Sequence, residues 1–154
     1  MSLFVDTSVW SLALRRDAPG ECAEVQFLLR AIDRGDALLT TGLVLQELLQ
    51  GFSGPRSREL ILEHFAALPM VVPDRDDHVA AAELRNACRR AGLQLGTIDA
   101  LVAQLCIRHE LTLLTTDRNF AVVADVSPLK VWQPVVSVKS PDWQGQIQDH
   151  NSRP

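Results

Sequence analysis

Four acidic residues stand next to apolar segments, where charged side chains are uncommon. Asp6 directly follows an apolar run at the start of the chain, and Asp117 follows another such run further along. Asp99 lies in residues 98–107, which are apolar almost all round when drawn as a helix. Glu47 lies beside the apolar face of its own predicted helix rather than opposite it. Burying an unpaired carboxylate is costly, so this placement favours a nearby cation.

Each of these acids also has an ordinary structural interpretation. Asp6 and Asp117 could be helix caps or turn residues, because aspartate is common in both roles. Asp99 could gain about 0.3–1 kcal/mol from the dipole of a first helical turn, which is less than the cost of its desolvation. Glu47, taken alone, is typical of a solvated helix surface. Gly51, one turn later, either leaves room beside Glu47 or ends the helix.

Taken together, the four carboxylates predict a metal site for phosphoryl chemistry. Like charges repel in a small volume, and two divalent cations would balance four carboxylates. Oxygen ligands favour Mg²⁺ or Mn²⁺, and the four histidines show no metal-ligand spacing. Paired metals held by carboxylates suit an in-line displacement at phosphorus.

The elements that must position these acids alternate between strands and helices. Such alternation requires crossover connections and therefore predicts an α/β fold, with a central, mostly parallel sheet between two helical layers. Because ligands bind at the carboxyl edge of parallel sheets, Asp6 and Asp117 are expected to meet there. The predicted strands are residues 3–5, 37–39, 70–72, 111–114 and 131–132, and the predicted helices lie around residues 25–32, 44–52, 61–68, 74–91 and 97–109.

Composition is that of one globular domain. The chain has 154 residues, 47% of them apolar and 22% charged, which excludes a disordered chain. We expect a folded domain over residues 1–133 and a polar tail over 134–154. No apolar run approaches the roughly 20 residues of a membrane span, and no signal peptide is evident. Three widely spaced cysteines suit reduced thiols, so a cytoplasmic protein without membrane contact is expected. The net charge of −4 provides no general attraction for nucleic acid.

The four acidic segments resemble motifs of PIN-domain ribonucleases, in particular the VapC-type toxins of type II toxin–antitoxin pairs. They occur in the same order as in that family and span about residues 3–120. Each motif is short, and the ordered set is more specific than any one of them. The matching segments are residues 5–10 (VDTSVW), 47–51 (ELLQG), 97–103 (TIDALVA) and 114–120 (LTTDRNF).

The resemblance implies a three-layer α/β/α sandwich and a metal-dependent endoribonuclease that hydrolyses RNA with metal-activated water. It implies Mg²⁺ or Mn²⁺ as cofactor, and a small antitoxin and a second copy of the chain as partners. Arg15, Arg16 and Arg118 are candidate RNA contacts near the predicted site. Carried over by motif, the catalytic and metal-binding residues are Asp6, Glu47, Asp99 and Asp117, and the supporting or substrate-orienting residues are Thr7, Ser8, Thr115 and Asn119.

Three alternatives come from other classes of protein. A Mg²⁺-dependent phosphatase of the haloacid-dehalogenase type also begins with a strand and an aspartate, but it needs a second aspartate where Ser8 stands. A receiver domain needs an acidic pair after its first strand, which Asp6 and Thr7 do not provide. A PIN-like domain that binds RNA or protein without catalysis is disfavoured because all four acids are present.

Overall fold

The structure, a computed structural model, describes residues 1–15 and 22–135. Four strands and seven helices lie in these ranges. In chain order they are β1 (Ser2–Val5), α1 (Thr7–Leu14), α2 (Ala23–Arg34), β2 (Ala37–Leu39), α3 (Gly42–Gly51), α4 (Pro55–Ala66), α5 (Arg75–Arg90), α6 (Thr97–Arg108), β3 (Thr112–Leu114), α7 (Asn119–Val126) and β4 (Lys130–Val131). No helix among the described residues is both long and apolar enough to cross a membrane.

The sheet is parallel throughout, with strand order β2-β1-β3-β4. The connection from β1 to β2 runs in one direction across the sheet, and the connections to β3 and β4 run in the other. Because such crossovers are right-handed, the two sets of helices cover opposite faces and make three layers. Strand β1 is central, and its residues Leu3, Phe4 and Val5 are fully buried. The predicted α/β/α sandwich is therefore confirmed.

A small network of charged side chains connects the start of helix α5 to the end of α6. Asp74 caps α5 in a capping box, in which its side chain and that of Asp77 each accept a backbone N–H of the other. Arg108, at the end of α6, donates to the carboxylates of both Asp77 and Asp74. Asp77 is only 1% exposed, so this arginine supplies the charge that its burial requires.

Some predicted elements were wrong or incomplete. Residues 70–72 do not form a strand, since Met70 makes only an isolated bridge to Thr40. The proline at position 73 has no N–H to donate, and Val72 is 78% exposed, so the pairing stops there. The last strand covers Lys130–Val131 rather than 131–132. Helices α1 and α7, of eight residues each, were not predicted. Most of the predicted tail, residues 136–154, lies outside the described residues.

Candidate active site

The site lies at the carboxyl edge of the sheet, between β1 and β3. These neighbouring strands send their following connections to opposite faces, which opens a crevice between their ends. Asp6 directly follows β1, and its N–H donates to the carbonyl of Leu114 at the end of β3 (2.9 Å). The sheet therefore brings the first acid next to the segment that carries Asp117.

Two hydroxyl groups hold the carboxylate of Asp6. Asp6 occupies the cap position of α1, yet its side chain makes no capping hydrogen bond. Instead, Oδ2 accepts from Ser8 Oγ and from Thr115 Oγ1, each at 2.8 Å. The same hydroxyl oxygens accept backbone N–H groups, that of Thr116 at Ser8 (3.1 Å) and that of Asp117 at Thr115 (3.0 Å). Asp6 is thus oriented by its neighbours and does not serve as a helix cap.

Glu47 reaches the site from α3, which packs against α1. Helix α3 begins just after β2 at the carboxyl edge, and Glu47 is half-buried in its second turn. Thr7 Oγ1 donates to Glu47 Oε1 (3.3 Å). Partial burial, followed by the negative charge of Asp6, raises the pKa of Glu47, while the Thr7 hydrogen bond lowers it. Glu47 is therefore no solvated surface residue.

Asp99 enters the same edge from the first turn of α6. This helix leads back into β3, so it runs against the strands and its N-terminus lies at their carboxyl ends. Burial, followed by the charges of Asp6, Asp117 and Glu47 in that order, raises the pKa of Asp99 from 3.8 to about 6. Among the described residues, no hydrogen-bond donor or cation pairs with Asp99. The four predicted acids therefore lie within electrostatic reach of one another.

Asp117 has a structural role as well as a place in the acidic cluster. Its Oδ1 accepts the N–H of Asn119 (2.9 Å), which shapes the turn into α7. This hydrogen bond occupies one oxygen and leaves Oδ2 without a donor in the described part of the chain. The Asn119 side chain is exposed, and the structure places only the backbone of this residue in the site.

The four carboxylates are near one another without forming a ready coordination shell. Within residues 1–15 and 22–135, no three or more His, Cys, Asp or Glu side chains are arranged to hold a metal ion. Unneutralised like charges repel. Two of the carboxylates are also hydrogen-bonded elsewhere, Glu47 to Thr7 and Asp117 to Asn119. Side-chain rotation would be needed to bring their oxygens to one ion.

No arginine or lysine among the described residues neutralises the cluster, because the ion pairs found there join Arg34 to Asp36 and Arg108 to the α5 cap. Arg118 is exposed and lines a groove together with Asp117. Arg15 is exposed at the far end of α1, nine residues after Asp6, or about 14 Å along the helix. Arg16 lies outside the described residues. Of the two predicted RNA contacts in the described part of the chain, Arg118 lies next to Asp117, and Arg15 lies at the other end of α1 from Asp6.

A groove of about 580 Å³, lined by both polar and apolar side chains, extends from Asp117 toward the start of α2 and the end of the sheet. Glu24 and Trp132 line it, and neither was singled out from the sequence. They are 108 positions apart, and neither lies in a recognisable motif. Their proximity follows from the sheet, which places β4 at the edge beyond β3, so no sequence signal could have indicated it.

Comparisons with known proteins agree with this fold. The sequence matches the PIN domain family over residues 3–126. Ribonuclease VapC11 of Mycobacterium tuberculosis is 29% identical over 130 residues, covering 83% of this chain and 96% of that protein.

Solved structures show the same fold at low sequence identity. VapBC2 from Rickettsia felis, bound to a DNA fragment from its promoter, is 20% identical, with a TM-score of 0.67 over 86% of this chain and 98% of that one. VapC20 of Mycobacterium tuberculosis, a Sarcin-Ricin loop cleaving toxin, is 19% identical, with a TM-score of 0.63 over 84% of this chain and 99% of that one.

Proposed function

The chain belongs to the PIN domain family, and we propose that it is a metal-dependent endoribonuclease acting as the toxin of a toxin–antitoxin pair. One observation carries the proposal. Four carboxylates from four separate elements meet at the crevice between β1 and β3, and no described cation balances them. Ribonucleases of the VapC type are among the relatives of the chain, which supports RNA as the substrate.

A divalent cation fits this site by charge and by donor chemistry. The available donors are carboxylate and hydroxyl oxygens, which Mg²⁺ and Mn²⁺ prefer. The pKa of Asp99 is raised because burial and neighbouring carboxylates disfavour its ionised form, and a bound cation would offset that penalty. Asp6 and Asp99 would hold the cation directly. Glu47 would join after leaving Thr7, and Asp117 would contribute Oδ2 or act through water.

Each residue of the site then has a defined task. A bound divalent cation supplies Lewis acidity, which activates water and offsets charge at the phosphate. Asp6 is oriented in advance because Ser8 and Thr115 hold its Oδ2, while Oδ1 has no donor within residues 1–15 and 22–135. The hydrogen bond from Thr7 holds the Glu47 carboxylate near the site before a cation binds.

Arg118 is the proposed phosphate contact beside the acidic site. Its exposed guanidinium follows Asp117 directly, and a negatively charged protein needs local cations to hold RNA. Arg15 stays a prediction for a more distant part of the RNA. Asn119 is proposed to orient substrate through its exposed side chain, next to Arg118.

A small antitoxin protein is the proposed partner. An apolar cavity of about 490 Å³ lies between α1, α2 and the end of α4, lined in part by Trp10, Leu29 and Ile32. Leu29 and Ile32 are 47% and 48% exposed, which leaves apolar surface for a partner to cover. Leu28, next to Leu29 on the same helix, is buried in the core. A homodimer is proposed on family resemblance and is tested by sedimentation.

Cleavage of a mixed single-stranded RNA substrate tests the function. The wild-type protein should cut RNA in Mg²⁺ or Mn²⁺ and stop when EDTA is added. The variant Asp6→Asn keeps the side-chain shape and removes the charge. Changes in the surroundings of a metal site cost about 10- to 100-fold, so loss of a direct ligand should lower the rate by more than about 100-fold.

A matched control is Asp33→Asn, which makes the same chemical change at an exposed position of α2. This control should cleave at the wild-type rate. Cleavage that persists in EDTA, or full activity of Asp6→Asn, would contradict the proposed mechanism. Metal binding without any cleavage of RNA would instead favour a non-catalytic PIN-like domain.

A further inference from the structure

The groove next to the acidic site has a volume suited to a small ligand such as one nucleotide. Its volume of about 580 Å³ is within the usual range for small-molecule sites, about 300–1,000 Å³. Thr115, Thr116 and Asp117 line one end, so the groove is continuous with the segment that holds Asp6. A substrate whose phosphate lies at the acids would place a neighbouring nucleotide in this groove.

Trp132 gives the groove a fixed aromatic wall. Its ring stacks on Phe27 with centroids 4.5 Å apart and planes 25° from parallel. Its backbone N–H donates to the carbonyl of Leu113 (2.9 Å), which ties the residue to the sheet. The side chain is partly exposed. Unpaired RNA bases are bound in proteins by stacking on such rings and by hydrogen bonds to their edges.

Glu24 places a carboxylate in the same groove. Cys22 Sγ donates to Glu24 Oε2 (2.9 Å), which restricts the orientation of the side chain. No other hydrogen bond or ion pair to Glu24 is found among the described residues, so Oε1 is available to a ligand and Oε2 can accept a second donor besides Cys22. Arg118 lines the same groove, and its exposed guanidinium is suited to hold a phosphate.

We propose that this groove binds a guanine base of the RNA beside the cleaved bond, with Glu24 as the specificity-determining residue. The Watson–Crick edge of guanine presents two adjacent donors, N1–H and the N2 amino group, which match the two oxygens of a carboxylate. Adenine and cytosine present one amino donor next to a ring acceptor. Uracil presents one donor between two carbonyl groups, which repel a carboxylate.

The inference rests on the proposed function only for the statement that RNA is cleaved. Binding of a guanine nucleotide does not require cleavage and can be measured alone. The indole N–H signals of the tryptophans report on the groove, and the variant Trp132→Phe identifies the signal of Trp132. Full-length ¹⁵N-labelled protein is titrated with 5′-GMP and with 5′-UMP, in EDTA.

GMP should shift the Trp132 indole signal and leave the buried Trp10 signal in place. UMP should require about five-fold or more higher concentration for the same shift, which is the low end of the discrimination expected from a paired hydrogen bond. Glu24→Gln should abolish the difference between GMP and UMP. The control Glu59→Gln, the same change at an exposed position of α4, should retain it.

The proposal is overturned if neither nucleotide moves the Trp132 signal, or if GMP and UMP act alike on the wild-type protein. A second readout is the sequence at cut sites in random RNA, where guanine should be enriched beside the bond and the enrichment lost in Glu24→Gln. Absence of all RNA cleavage would contradict the nuclease function, while the nucleotide titration would still decide for or against the groove.

Discussion

Replacing Asp99 by asparagine should stabilise the metal-free protein while weakening its response to Mg²⁺. Burial and three neighbouring acids raise the pKa of Asp99 from 3.8 to about 6. At about 1.4 kcal/mol for each pKa unit, the ionised form is penalised by at most about 3 kcal/mol. Partial exposure of the carboxylate reduces this to about 1–2 kcal/mol. Loss of the favourable helix dipole offsets about 0.3–1 kcal/mol.

The net gain for Asp99→Asn is therefore about 1 kcal/mol, or about 2–4 °C in Tm for a chain of this size. The pH dependence of this stability gain follows from the raised pKa of Asp99. The folded protein binds an extra proton between about pH 4 and 6, so the penalty is full above pH 6 and vanishes as the pH falls below 4. The gain should appear at pH 7.5 and be absent at pH 3.8.

Thermal unfolding followed by circular dichroism measures this difference in stability, in EDTA and in about 10 mM Mg²⁺, a saturating level for a weak site. The wild-type protein should gain stability from Mg²⁺, and Asp99→Asn should gain much less. A variant that is equal to or less stable than the wild type in EDTA at pH 7.5 would refute the electrostatic reasoning. An undiminished Mg²⁺ effect would remove Asp99 from the metal ligands.

Three further predictions follow from other contacts. Arg108→Ala should lower the free energy of unfolding, measured in urea, by about 2 kcal/mol, because it removes the cation that pairs with the buried Asp77. The loss is limited because the Arg108 side chain is 42% exposed, so water partly replaces it. An unchanged urea midpoint would contradict this. Thr115→Val should raise the Mg²⁺ concentration for half-maximal cleavage about 10-fold, since Asp6 loses one hydroxyl donor; no change would make that hydroxyl dispensable. Leu29→Asp should weaken antitoxin binding in calorimetry without changing RNA cleavage, and equal binding would exclude the apolar cavity as the docking surface.

The sequence was most informative where an acid followed a buried strand. Asp6 and Asp117 could be placed at one edge because parallel strands end on the same side of a sheet, and the structure brings them together. Asp99 stood out because an apolar helix carried a charge near its start. Glu47 was ambiguous from its own helix, since its position depends on α3 packing against α1 through Thr7.

Other features depended on contacts between distant residues and could not be predicted. Helix α1 contains valine, tryptophan and leucine on nearly all sides and is only eight residues long, so it lacks a clear apolar period. Residues 70–72 were predicted as a strand from their hydrophobicity alone. The proline that follows them limits backbone pairing, and hydrophobicity does not indicate this effect. The groove between Glu24 and Trp132 required the order of strands in the sheet.

The most direct measurement of the central claim is anomalous diffraction from crystals of the protein grown or soaked with Mn²⁺. The account predicts a manganese peak at about 2.0–2.3 Å from oxygens of Asp6 and Asp99, with Glu47 turned away from Thr7 toward the ion. A site containing none of these carboxylates, or no peak between β1 and β3 at millimolar Mn²⁺, would contradict it.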